Sequence, residues 1–93
     1  MVSTQTALAL VKARLNRLDT LLDEYLAVRI DAAIGDLERA GIHLTDSNLD
    51  LMLVVDTVCW EYANRDNPNG MPDWLRLRRR ERWLSERTGE VSA

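Results

Sequence analysis

The chain has 93 residues, 46% of them hydrophobic, and a formal net charge of −3. That is enough for one domain, 1-93, burying roughly 60–65% of its unfolded surface, and too apolar for a disordered tail. One cysteine, Cys59, excludes an intramolecular disulfide, and one histidine, His43, excludes a His-rich metal site.

The first predicted element is a helix capped by Ser3 or Thr4 and running to about Asn16, with Leu8, Val11 and Leu15 on one face. Residues 1–11 lack the basic segment and long apolar run of a secretory signal. No apolar run approaches the ~20 residues of a membrane span. The expectation is a soluble chain made inside the cell, with no membrane partner.

A second helix is predicted from about Asp19 to Ala40. Leu18, Leu22, Leu26, Ile30, Ala33 and Leu37 form one apolar stripe, with Asp23, Asp31, Glu38 and Arg39 off it. Gly41 is the expected left-handed residue after its end. His43 falls in the connection, as a solvated residue.

Ser47 and Asp50 have the spacing of a capping box opening a third helix that reaches about Arg65. At about 100° per residue, its polar arc contains Asp50, Thr57, Glu61 and Asn64 and spans roughly 60°. Leu51, Val55, Val58 and Tyr62 lie on one broad apolar side, Leu53 and Trp60 on another, and Asp56 between them. A helix this apolar needs cover on several sides, from the rest of the chain and from neighbouring subunits.

Residues 66–70 (Asp-Asn-Pro-Asn-Gly) break the helix, and Pro72 suits the first turn of a fourth. Trp74, Leu77 and Leu84 share one face of it; Arg76, Arg80 and Arg87 share another, with Trp83 alongside. Residues 88-93 are expected to fray. Six arginines in 76–87 face only Glu81 and Glu86, so the other 81 residues carry −7. Intrahelical pairs such as Arg82–Glu86 and Arg78–Glu81 use few of these arginines. The surplus of Arg beside Trp predicts an interface through Arg76, Arg78, Arg79, Arg80, Arg82, Trp83 and Arg87. An acidic protein surface, including a second copy, fits the two-sign charge distribution better than nucleic acid does, and the tract lacks the Asn and Gln of a base-reading helix.

The fold class is therefore all-α, a small bundle of about four helices with short loops. No nucleophile motif, phosphate-binding loop or metal-ligand cluster is present in the sequence, which predicts no enzyme, no catalytic or metal residues and no cofactor.

The order Tyr25-Leu26, Asp31 to Ile34, Leu37-Glu38, Gly41-Ile42, Asp50 in a long apolar helix, Trp60-x-Tyr62-x-x-Arg65, and Met71-Pro72-x-Trp74-Leu75 resembles the head–tail connector (head-completion or adaptor) proteins of tailed bacteriophages. The resemblance covers about residues 20–87, and residues 1-18 match only loosely. It implies a structural virion protein of the neck, made in the bacterial host cytoplasm. Its subunits form a ring, typically dodecameric, beneath the portal protein after genome packaging. The ring extends the channel through which double-stranded DNA loosely passes and provides a platform for the next neck or head-closure protein. Leu51, Val55, Val58, Trp60 and Tyr62 would then belong to the core or assembly helix. Asn64, Arg65, Asp66, Asn67, Asn69 and Gly70 would form a loop toward the channel or a partner. The alternatives are a small nucleic-acid-binding regulator using the Arg-rich helix and a generic helical interaction module.

Overall fold

The computed structural model describes residues 2–17, 19–64 and 70–88. Among these the chain is all-helical: α1 (Thr4–Arg14), α2 (Asp23–Arg39), α3 (Asn48–Ala63) and α4 (Asp73–Thr88). Arg65, Asp66, Asn67 and Asn69 of the expected loop, Leu18 of the expected stripe and 89–93 of the tail expected over 88–93 lie outside the described residues, while Thr88 is the last residue of α4. No helix is long and apolar enough to cross a membrane, among the residues described.

Local chemistry sets the helix ends. Ser3 caps α1, its Oγ accepting from the Thr6 N–H at 3.3 Å. The helix ends at Asn16, in the left-handed region at φ 60°, with the Arg17 N–H donating to the Lys12 carbonyl and the Asn16 N–H to the Ala13 carbonyl. Asn tolerates this conformation better than most residues. α2 ends the same way at Gly41 (φ 96°): the Ile42 N–H donates to Leu37 O and the Gly41 N–H to Glu38 O, and buried Ile42 and Leu37 join the same core.

α2 begins at Asp23, four residues later than expected. The Asp19 carboxylate accepts from the Leu21 N–H at 3.2 Å and the Thr20 carbonyl from the Asp23 N–H at 3.2 Å, so 19–22 is a side-chain-stabilised turn. Asp competes in this way with helix formation. Asp23 then sits in the positive first turn of α2 and pairs with Lys12 of α1 at 2.8 Å.

α3 is the central helix. Val54, Val55 and Val58 are fully buried; Ala7 and Val11 of α1, Leu26, Ile30, Ala33 and Leu37 of α2, and Leu75 of α4 belong to the same core. Ile42 and Leu44 add to it from the α2–α3 connection. The broad apolar surface of α3 is thus covered largely within one chain. Leu51, Trp60 and Tyr62 are half-buried, and Tyr62 meets Tyr25 edge-on with ring centroids 6.5 Å apart.

Much of the expected polar arc of α3 is also enclosed. Asp50 and Thr57 are buried. The Thr57 hydroxyl donates to the Leu53 carbonyl at 2.8 Å, and half-buried Glu61 accepts from Arg29 at 3.0 Å. These groups can be enclosed because each has a hydrogen-bond partner.

Gly41 is required twice. Its φ is positive, and a Cβ there would stand 2.5 Å from an Arg87 Nη and 3.1 Å from the Trp83 Nε1. Gly41→Ala should destabilise the fold by about 1–2 kcal/mol through backbone strain alone, and should displace the end of α4. Denaturant unfolding with Trp fluorescence checks both.

Candidate assembly surface

Helix α4 packs on α3 and on no other helix, among the described residues. Leu75 is its one fully buried apolar side chain. Most of what holds α4 is ionic.

Arg82 reaches Asp50, Nε donating to Oδ1 at 2.7 Å and Nη2 to Oδ2 at 3.2 Å. Asp50 is 2% exposed and also accepts from the Thr45 N–H at 2.7 Å and the Thr45 hydroxyl at 2.9 Å. Burial pushes its carboxyl up, but Arg82 and the two Thr45 bonds outweigh that and hold it below the usual carboxylate range. The bond to Asp50 likewise raises the Arg82 guanidinium above its ordinary value. The capping box forms only in half. Ser47 Oγ accepts from the Asp50 N–H at 3.2 Å, while the shorter Asp side chain turns to Thr45 and Arg82.

Asp56 is buried in α3 between two arginines. Arg14 of α1 donates to it at 2.6 Å, and Arg78 of α4 bonds its other oxygen. Arg78 therefore turns to α3 instead of forming the intrahelical pair with Glu81. Arg82 does form its pair with Glu86, at 3.2 Å.

The far end of α4 clasps the α2–α3 connection. Glu86 accepts from the His43 N–H at 2.9 Å and bonds the His43 ring, and Arg82 donates to the His43 carbonyl at 2.7 Å. Arg87 donates to the Gly41 carbonyl at 3.0 Å and stacks 4.0 Å over Trp83. The bonds from His43 hold the Glu86 carboxyl down at about 2. His43 is exposed as expected, but its backbone and ring bind α4.

The expected interface residues thus separate into two groups. Arg78, Arg82 and Arg87 hold α4 to the rest of the chain. Arg79 is half-buried, with an Nη 3.7 Å from the Met71 sulfur. Arg76 is exposed and paired with Asp73 at 2.9 Å, and exposed Arg80 has no ion pair among the described residues. Trp83 is partly exposed and, with Arg76, Arg79, Arg80, Ala40 and Ile42, lines a groove of ≈ 400 Å³. Trp74 (47% exposed), Leu77 (57%) and Leu84 face outward. Of the expected loop, the Asn64 side chain closes α3 by donating to the Trp60 carbonyl at 2.9 Å, and Gly70 is exposed.

Sequence reasoning missed Asp50 and Asp56 as partners of these arginines, and Glu86 as a partner of His43. The signal for the first two was present: carboxylates inside the most apolar helix of a chain with surplus arginines. Comparison with protein-family models, with curated proteins and with solved structures finds no match to this chain.

Two expectations follow. Arg82→Met leaves Asp50 enclosed without its cation, so it should lower stability by about 3 kcal/mol, and Asp50→Leu with Arg82→Met together should cost less than the sum. Chemical denaturation of the two single variants and the double variant reads this. The second concerns acid. Glu86 and Asp50 both have folded pKa values below their ordinary ones, so the stability they add is full above the ordinary carboxylate range and is lost as pH falls through the folded values, for Glu86 toward about 2. Glu61, raised first by its burial, works in the opposite direction. Acid titration should therefore undock α4 before global unfolding, seen as a Trp83 fluorescence change ahead of the loss of helical circular dichroism.

Proposed function

We propose that the chain is a structural, non-enzymatic connector of the tailed-phage neck. It assembles as a ring beneath a portal, carries the DNA channel onward and presents a platform for the next neck protein. Supporting this reading is the ordered resemblance over residues 20–87. The observation that carries it is the outward face of α4. After Arg78 and Arg82 are committed to Asp56 and Asp50, this helix still presents Trp74, Leu77 and Leu84 beside Arg76 and Arg80. Exposed apolar groups beside arginine have the composition of a protein interface.

The division of the tract also weighs against the nucleic-acid alternative. Arg78 and Arg82 are two of the five tract arginines that reading needs, and both are tied to buried carboxylates. Bound in this way, they have little capacity left to neutralise phosphate.

Electron microscopy of the chain mixed with a portal ring tests the proposal, with added density of matching rotational symmetry as the expected result. Absence of binding at every salt concentration overturns it. Arg76→Glu with Arg80→Glu should abolish that binding and leave helical circular dichroism unchanged, because neither side chain holds α4 to α3.

A further inference from the structure

A second exposed apolar stripe lies on α2. Tyr25, Val28 (62% exposed) and Ala32 share its outer side, and Leu21 (83% exposed) precedes them in the turn ahead of the helix. At about 100° per residue, Glu24, Asp31 and Glu38 form a row along one edge of this stripe. All three are exposed; Asp31 also accepts from the Thr4 hydroxyl at 2.8 Å.

The outward face of α4 has the complementary character. Trp74, Leu77 and Leu84 form the stripe, interrupted by Glu81, and Arg76 and Arg80 form a row along one edge. At ~1.5 Å per residue, the α4 stripe runs for roughly 15 Å and the α2 stripe for roughly 10 Å from Tyr25 to Ala32, with Leu21 beyond its start. The two helices do not pack on each other within the subunit, among the described residues.

We infer that these two faces bind each other between copies: the outer face of α2 on one subunit seats on the outer face of α4 on the next. Direction follows from the charges. Both charged rows lie on the same rotational side of their stripes, about 70–110° from the stripe centre at the helical step. Edges of like handedness meet when facing helices run antiparallel. That direction brings Glu24 near Arg80 and Asp31 near Arg76, with Leu21 toward Leu84 and Ala32 toward Trp74.

Because the two faces differ, the contact is head-to-tail, and it propagates until the rotation closes a ring. The inference rests on the self-assembling part of the proposed function. It requires no portal, so failure of portal binding leaves its test intact.

The test uses the full chain and two single variants on exposed side chains, Val28→Asp on α2 and Leu77→Asp on α4. Neither side chain is buried, so both variants retain the fold. Sedimentation at high concentration and low salt should show the unaltered chain growing beyond a dimer. Each variant alone should associate at least about tenfold more weakly, given what burying such a side chain is worth. Mixed in equal amounts, the two should form a 1:1 heterodimer that grows no further, because each brings one intact face. Glu24→Arg should weaken assembly, and adding Arg80→Glu in the same chain should restore it. An unaltered chain that stays monomeric, or stops at a dimer, overturns the inference, and so does a mixture that stays monomeric. A Leu21→Cys, Leu84→Cys chain should cross-link between copies under oxidation; cross-linking of Leu21→Cys to Trp74→Cys in its place overturns the antiparallel arrangement.

Discussion

The fold depends on two carboxylates enclosed in its central helix. Asp50 and Asp56 lie in α3 at 2% and 5% exposure, where an unpaired charge would be costly. Each is met by guanidinium groups from other helices: Arg82 on Asp50, and Arg14 with Arg78 on Asp56. Arginine suits this role because it stays charged when enclosed and offers several donors in a fixed plane. Asp56 accordingly joins α1, α3 and α4 through one side chain. With Leu75 as its one fully buried apolar group, α4 depends on these pairs for its place on the bundle.

Much of the architecture was legible from local signals. Ser3, Ser47 and Gly41 mark helix ends by chemistry that acts within a few residues, and the stripe from Leu26 to Leu37 has one consistent period, so both survive into the fold. The signals that failed depend on distant partners. Asp19 reads as a helix start by composition, yet its carboxylate closes a turn on the Leu21 N–H. Asp50 reads as a capping residue and Asp56 as a break in an apolar helix, because nothing near them in sequence shows that arginines 22 to 42 residues away will cover them. Helical periodicity likewise says which residues of α4 share a face but not which face turns inward. An apolar-inside rule selects Trp74, Leu77 and Leu84, whereas the structure turns in Leu75, Arg78 and Arg82. Charge satisfaction outweighed hydrophobic area there.

The candidate surface was legible in composition and not in assignment. The excess of arginine over glutamate in 76–87 pointed to an interface with another molecule, but Arg78, Arg82 and Arg87 have their partners within the chain. What stays outward is a narrower set, Arg76 and Arg80 with the exposed Trp74, Leu77 and Leu84. Committing Arg78 and Arg82 to enclosed carboxylates makes the basic surface less suited to a phosphate backbone, where affinity grows with the number of neutralised charges. It makes it better suited to a matched protein face, where a few well-placed groups carry specificity.

Ion pairs also do something for α4 that apolar packing would do less sharply. A helix resting on oily contacts can rotate or slide with modest change in buried area. Bonds from Arg78 to Asp56, from Arg82 to Asp50 and the His43 carbonyl, and from Arg87 to the Gly41 carbonyl fix three points along α4. A turn of one residue step, about 100°, would break them all at once. Enclosed ion pairs add little net stability over apolar replacements. Their contribution here is orientation: the same bonds that hold Arg78 and Arg82 inward hold Trp74, Leu77, Arg76 and Arg80 outward. The inner and outer faces of α4 are therefore one constraint. A change that loosens the buried carboxylates would blur the outer surface without touching any residue on it.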